Sequence, residues 1–172
     1  MPKEWRYLAT LIAMLTIGAA EVGMAQTSPP ASDTYIFPAE FVSVDVGGSS
    51  LTVKPGVAYT QAMSELQQFK SGEPVWVVWS GVHNTSDSVR QIRRPAPGRT
   101  IDEDLVLPAE FVSSGAPSQS VTIKVKIPTG SVAALQAVRP GQWVRVTARH
   151  RPSTEADAVT AVQPYNSVTT PR

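Results

Sequence analysis

The chain has 172 residues, with 15 Lys and Arg against 14 Asp and Glu, a net charge of +1 and no cysteine. Without cysteine there is no disulfide framework, thiolate metal site, acylated-cysteine anchor or cysteine nucleophile. A total charge this close to zero argues against a dedicated polyanion binder.

Lys3 and Arg6 precede a largely apolar run, Leu8 to Ala20, and Gly23-Met24-Ala25 offers small residues for cleavage. This order predicts a signal peptide over residues 1–25. The run is shorter than the roughly 20 residues of a permanent span. Retention as an anchor and cleavage after Ala20 are the alternatives. Export without disulfides points to a bacterial periplasm or secretion. Residues 26–34 read as a flexible lead rich in Pro and Ser. With residues 1–25 removed the net charge stays +1, since two bases and two acids leave together.

Pro-Ala-Glu-Phe-Val-Ser at 38–43 recurs at 108–113, and Leu51-Thr52-Val53-Lys54 falls on Val121-Thr122-Ile123-Lys124 at the same offset. Leu66 and Gly72 match Leu135 and Gly141 with one residue lost, and Val89 and Ile92 match Val159 and Val162. A period of this kind predicts two copies of one supersecondary unit, at 35–95 and 106–165, with a linker at 96–105 and a tail at 166–172.

Within each copy a strand, Glu40 to Val46 or Glu110 to Ser114, should end at turn residues, Gly47-Gly48-Ser49 or Gly115-Ala116-Pro117-Ser118. Val121, Ile123, Val125 and Ile127 alternate with polar residues, the pattern of a half-buried strand. Val132, Leu135 and Val138, like Met63, Leu66 and Phe69, predict a helical turn too short to persist unless packed on a sheet. A glycine turn leads into the most apolar strand, Pro74 to Trp79 or Gln142 to Arg149, with Val75, Val77 and Trp79 or Val144, Val146 and Ala148 facing inward. Polar loops at Asn84 to Asp87 and Pro152 to Glu155 precede last strands at Ser88 to Arg93 and Asp157 to Gln163. So many short strands in under 60 residues predict an all-β chain of two tandem small barrels, because closure removes sheet edges.

The order of these segments, Leu51-Thr52-Val53, Leu66 to Gly72, Val75-x-Val77, Val89-x-x-Ile92 and their second-copy equivalents, resembles the small exported bacterial β-barrel domains of OB-like type, many without an assigned function. The resemblance implies a fold and no chemistry. The same class includes periplasmic copper binders that use His, two Met and a Trp. Beyond residue 25 this chain has only Met63, with His83 and His150, so that soft ligand set is incomplete.

Candidate sites are sparse. No serine-hydrolase elbow, zinc-protease helix or phosphate-cradling glycine loop occurs, and no catalytic residue or cofactor is expected. Asp102-Glu103-Asp104 reads as a solvated linker cluster beside Arg90, Arg93, Arg94 and Arg99, because it lacks the spacing of a calcium loop. His83 and His150 are weak metal candidates, each just after the most apolar strand. Tyr35 to Val89 is acidic by three and Val106 to Tyr165 basic by three, charges expected on solvated faces. Where the copies differ, Trp76 and Val78 stand opposite Arg145 and Thr147. Trp76, Val78, Arg145 and Arg149 are therefore the expected interface, aromatic and Arg residues being enriched at such contacts. The expected role is a non-enzymatic exported binding or assembly module that contacts a protein or envelope component. The alternative is a periplasmic metal or small-ligand carrier. Export and neutral charge weigh against nucleic acid.

Overall fold

A computed structural model describes residues 33–58, 60–82, 85–96 and 105–165. The expected signal peptide, lead residues 26–32, His83, Asn84, residues 97–104 and the tail lie outside the described residues. The chain runs β1 (Thr34–Asp45), β2 (Ser50–Lys54), α1 (Thr60–Leu66), β3 (Pro74–Val82), β4 (Thr85–Arg93), then β5 (Val106–Gly115), β6 (Ser120–Lys126), α2 (Thr129–Leu135), β7 (Trp143–Arg149) and β8 (Val159–Pro164). The all-β class expected from the alternating apolar pattern is the class adopted.

The two copies do not close into separate barrels. All eight strands belong to one sheet in the order β2-β6-β5-β3-β4-β1-β7-β8, and an additional β2–β1 pairing closes six of them into a ring from which β7 and β8 extend. Strands of one copy pair with strands of the other at three places. In the first copy, β1 runs antiparallel to β7 from Thr34↔Arg149 to Glu40↔Trp143; in the second, β5 takes the equivalent place against β3, from Val106↔Val78 to Glu110↔Pro74. At β2–β6 the equivalent residues Val53 and Ile123 face each other, which places a pseudo-twofold axis through that pair. The expectation of two barrels failed because periodicity reports which face of a strand is buried, not which strand lies beside it.

The repeated hexapeptide is where each first strand changes partner. The first part of β1 pairs with β7 and the part from Glu40 onward with β2, where the register shifts between Phe41 and Ser43. The second copy does the same with β3 and then β6, shifting between Phe111 and Ser113. Each residue type has a reason. Phe41 N donates to Gln142 O and Gly141 N to Phe41 O, at 2.7 and 2.9 Å, so alternate amides of β1 face β7. Pro38 then has its missing N–H on the opposite side, before the β2 pairing begins, and a proline costs no ladder bond there. This is why β1 can run through Pro38 and start at Thr34, ahead of the expected start at Glu40. Glu40 and Glu110 pair across the sheet with Lys54 and Lys124 at 3.1 and 3.8 Å. These pairs are half-exposed and contribute at most about 1 kcal/mol. Phe41 and Phe111 are buried. The Phe111 backbone receives Gly72 N and donates to Glu73 O, both at 2.8 Å. Each copy's phenylalanine is thus held by the other copy's glycine turn, whose glycine has φ of +86° or +88°, a conformation that side chains disfavour.

The buried apolar residues form one continuous cluster drawn from both copies, including Phe37, Val53, Val77, Ile123, Leu135 and Val146. Phe37 stacks on Trp79 with centroids 4.0 Å apart. The helical turns pack as expected: Met63, Leu66, Val132 and Leu135 are buried, while Phe69 and Val138 are partly so. Helix α2 also protects the outer edge of the sheet. Val162 N of β8 donates to Ser131 Oγ at 3.2 Å, and Pro164 has no N–H to offer, two devices that discourage strand addition. On the other side of β1 from β7, β1 and β4 share one parallel pairing, Ile36↔Thr85. Beside it Ala58 N donates to Val89 O and Val89 N to Gly56 O, both at 2.8 Å, so residues 56–58 act as a short filler strand.

Candidate functional site: a proline-walled groove over Trp76

The interlocked sheet brings four separate segments together on the outer face of β3. Pro74, Val75 and Trp76 of β3 lie beside Pro108 and Ala109 of β5, with Pro95 beyond β4 and Arg151 to Glu155 from the β7–β8 loop, around a groove of about 630 Å³. This volume falls within the range of ligand sites. Val75 and Ala109 are buried and Trp76 is half-buried. The groove therefore offers a tryptophan and the rings of Pro74, Pro95 and Pro108, with the buried Pro152 behind its loop wall. Its walls come from both copies.

The walls are held in place. Trp76 is paired with Arg93 across β3–β4, and the Arg93 guanidinium lies 5.3 Å from the centre of its ring, a cation–π arrangement. The loop wall is stapled by one carboxylate. Asp157 accepts from Thr154 N at 2.7 Å, Thr154 Oγ1 at 2.9 Å and Ser153 N at 3.3 Å. These bonds, the one from Thr154 N foremost, hold the Asp157 carboxyl below its ordinary value. Near the lower end, Arg94 pairs with Glu73 and donates to Gln68 O at 3.0 Å, its guanidinium 4.9 Å from the Phe69 ring centre. That pairing, with a second bond from Lys70 N, lowers the Glu73 pKa.

The expected interface residues are not brought together as one patch. Val78 is 1% exposed and faces Val106 across β3–β5, so it offers no surface to a partner. Arg145 lies on β7 across from Pro38, the pseudo-equivalent of Trp76 across from Pro108. Its guanidinium lies 5.5 Å from the centre of the Tyr165 ring. The first copy thus carries the aromatic on its third strand and the cation on its fourth, whereas the second carries the cation on its third strand and the aromatic just past the end of β8. Trp143 and Tyr165, 51% and 48% exposed, flank Arg145. Arg149 pairs instead with Asp33 at 3.5 Å.

His83 lies outside the described residues. His150 packs edge-on against Tyr35, centroids 5.5 Å apart, and no group of three or more metal-binding side chains occurs among the described residues. Tyr35 is fully buried. Burial pushes its phenol far above the ordinary value, and the adjacent Trp79 indole offsets only part of that; neither Tyr35 Oη nor Trp79 Nε1 reaches a partner in hydrogen-bond geometry. A phenol held protonated this firmly is no base at neutral pH.

Sequence reasoning singled out Trp76 but missed the groove around it, because its other walls are prolines and a loop remote in sequence. The one local signal was Ser153-Thr154 ahead of Asp157, a spacing suited to a carboxylate-capped turn. Comparison of the chain with protein-family models, curated proteins and solved structures returned no significant match.

Proposed function

We propose that the chain is an exported, non-enzymatic binding module that holds an extended segment of a partner protein in the groove over Trp76. A periplasmic or secreted location belongs to the same reading. The observation that carries it is the composition of the groove. Three prolines and a tryptophan present flat apolar rings, the kind of surface on which extended polypeptide docks. The amides of Ser153 and Thr154 are already taken by Asp157. Arg151, Ser153 and Glu155 on the loop wall add side-chain donors and acceptors that can meet the backbone groups of an extended peptide. Strand addition at β8 is opposed by Ser131 and Pro164, so the groove is the better place for a chain to bind.

The test is a photo-crosslinking side chain at position 76 in the exported protein within its native envelope, with position 143 as control. The expected result is a discrete protein adduct formed from 76 and lost when Pro95→Ser and Pro108→Ser are introduced together. Adducts formed equally from both positions, or only with glycan, would overturn the reading.

A further inference from the structure

The pseudo-equivalent of the groove floor, the outer face of β7, is open and carries a different chemistry. Three large apolar side chains are exposed among the described residues, Val46, Trp143 and Tyr165, and the last two are neighbours. Tyr165 N donates to Trp143 O at 2.8 Å, one step beyond the Val144↔Pro164 pair, so both rings project from the same face. Aromatic surface gathered at one exposed place marks a binding site, where scattered apolar residues do not. Polar groups complete the face. Trp143 lies across from Glu40, which pairs with Lys54 of β2 at 3.1 Å. Tyr165, Trp143, Glu40 and Lys54 thus form a row over four neighbouring segments, about 14 Å long at the usual strand spacing. In the next row, Arg145 has Pro38 on one side and the exposed Gln163 on the other. Its guanidinium lies 5.5 Å from the centre of the Tyr165 ring, and no carboxylate pairs with it among the described residues.

We infer that this face, independently of the groove, binds an acidic glycan, with one sugar ring lying on Trp143 and its carboxylate on Arg145. A pyranose has an apolar C–H face that stacks on an aromatic ring, and a rim of hydroxyls that needs donors and acceptors beside that ring. Gln163 and the Glu40–Lys54 pair supply both kinds. Arg145 supplies the one cation without an acid of its own, and a guanidinium suits a carboxylate in a two-pronged contact. The length of the row suits a chain of sugars better than a single ring. Other occupants fit this face less well. A membrane is entered by apolar groups on a protruding element, whereas Trp143 lies flat on a strand beside a carboxylate that anionic headgroups would repel. A nucleic acid strand needs several cations along its path, and here one is uncommitted. Strand addition by a peptide is opposed at β8 by Ser131 and Pro164.

The experiment probes an array of immobilised oligosaccharides in which uronate-, sialate- and muramate-containing chains are each matched with a neutral analogue. The protein is compared with Arg145→Gln, Trp143→Ala and Trp76→Ala, each checked for an unchanged denaturation midpoint. At least one acidic member should be bound in preference to its neutral analogue. Arg145→Gln and Trp143→Ala should each weaken that binding about tenfold or more, the effect of losing one charge-assisted contact or one stacked ring. Trp76→Ala should leave it unchanged. Binding of no acidic member, equal binding of the neutral analogues, or binding that survives Arg145→Gln overturns the inference. So does sedimentation with phosphatidylglycerol vesicles that is lost in the Arg145 and Trp143 variants while no glycan is bound, which would assign the face to a membrane. None of these outcomes touches the crosslinking from position 76, so the two sites stand or fall separately.

Discussion

Val146→Ala tests whether the two copies unfold as one body. Val146 is fully buried on β7, opposite Phe37 of the other copy on one side and Val162 on the other. Phe37 in turn stacks on Trp79. Truncation removes two methyl groups worth about 0.8 kcal/mol each, and the cavity left in so shared a core raises the cost to about 2.5 kcal/mol. That is a substantial fraction of the roughly 5–15 kcal/mol that holds a domain folded. Amide hydrogen exchange is the assay, under conditions where the slowest amides open only by global unfolding. In one shared sheet, the slowest amides of Leu51 to Val53 and Val75 to Val77 in the first copy should accelerate as much as those of Val144 and Val162, by roughly sixtyfold. Exchange that quickens only in β7 and β8, with the first copy's amides unchanged, would falsify the interlock. Val146→Asp carries the argument further. An unpaired carboxylate there costs several kcal/mol and should unfold the whole chain rather than one half.

Gly72→Ala and Gly141→Ala should each lower the denaturation midpoint by an amount equivalent to about 1–2 kcal/mol, from backbone conformation alone, because a methyl group at either position meets nothing within 4 Å; markedly unequal losses would break the pseudo-symmetry argument. The Asp157 staple should be sensitive to acid. Its folded pKa lies below its unfolded one, so the staple's contribution is complete above the ordinary aspartate range and disappears as pH falls through the depressed value. The Ser153 and Thr154 amide resonances should follow that titration. Asp157→Ala should abolish it and weaken the protein adduct formed from position 76, with the sheet resonances unmoved.

The inward residues were legible from the chain. Val75, Val77 and Trp79, with Val144, Val146 and Ala148, are all buried in the core, because alternation directly encodes which side of a strand is apolar. The helical turns were legible too, from the threefold spacing of Met63 and Leu66 and of Val132 and Leu135. Partner choice was not. Phe37 reads as an apolar residue ahead of a proline, and nothing local says that it sits opposite Val146, more than a hundred residues away. The difference between Trp76 and Arg145 was visible at once, but its meaning required β4 and the segment after β8. Arg93 and Tyr165 supply the opposite member of each cation–aromatic contact, so each side of the molecule pairs one cation with one aromatic.

The interlock also bears on why the copies diverged where they did. Two equivalent units crossing at a pseudo-twofold axis generate two equivalent outer surfaces, and identical sequences would make two identical sites. The positions that build the sheet crossing have stayed alike in both copies: Pro38 and Pro108, Glu40 and Glu110, Phe41 and Phe111, Gly72 and Gly141. Each is tied to a bond or burial that both halves need. Residues on the outer face of the third strand carry no such duty and are free to differ. On one side they became Pro74 and Trp76 under a stapled loop, on the other Trp143 and Arg145 in the open. Because the groove's walls come from both copies, a lesion that separates the copies should abolish binding even where Trp76 itself is intact. Binding lost together with the β1–β7 and β3–β5 pairings is therefore the signature of a site made by the crossing and absent from either unit alone.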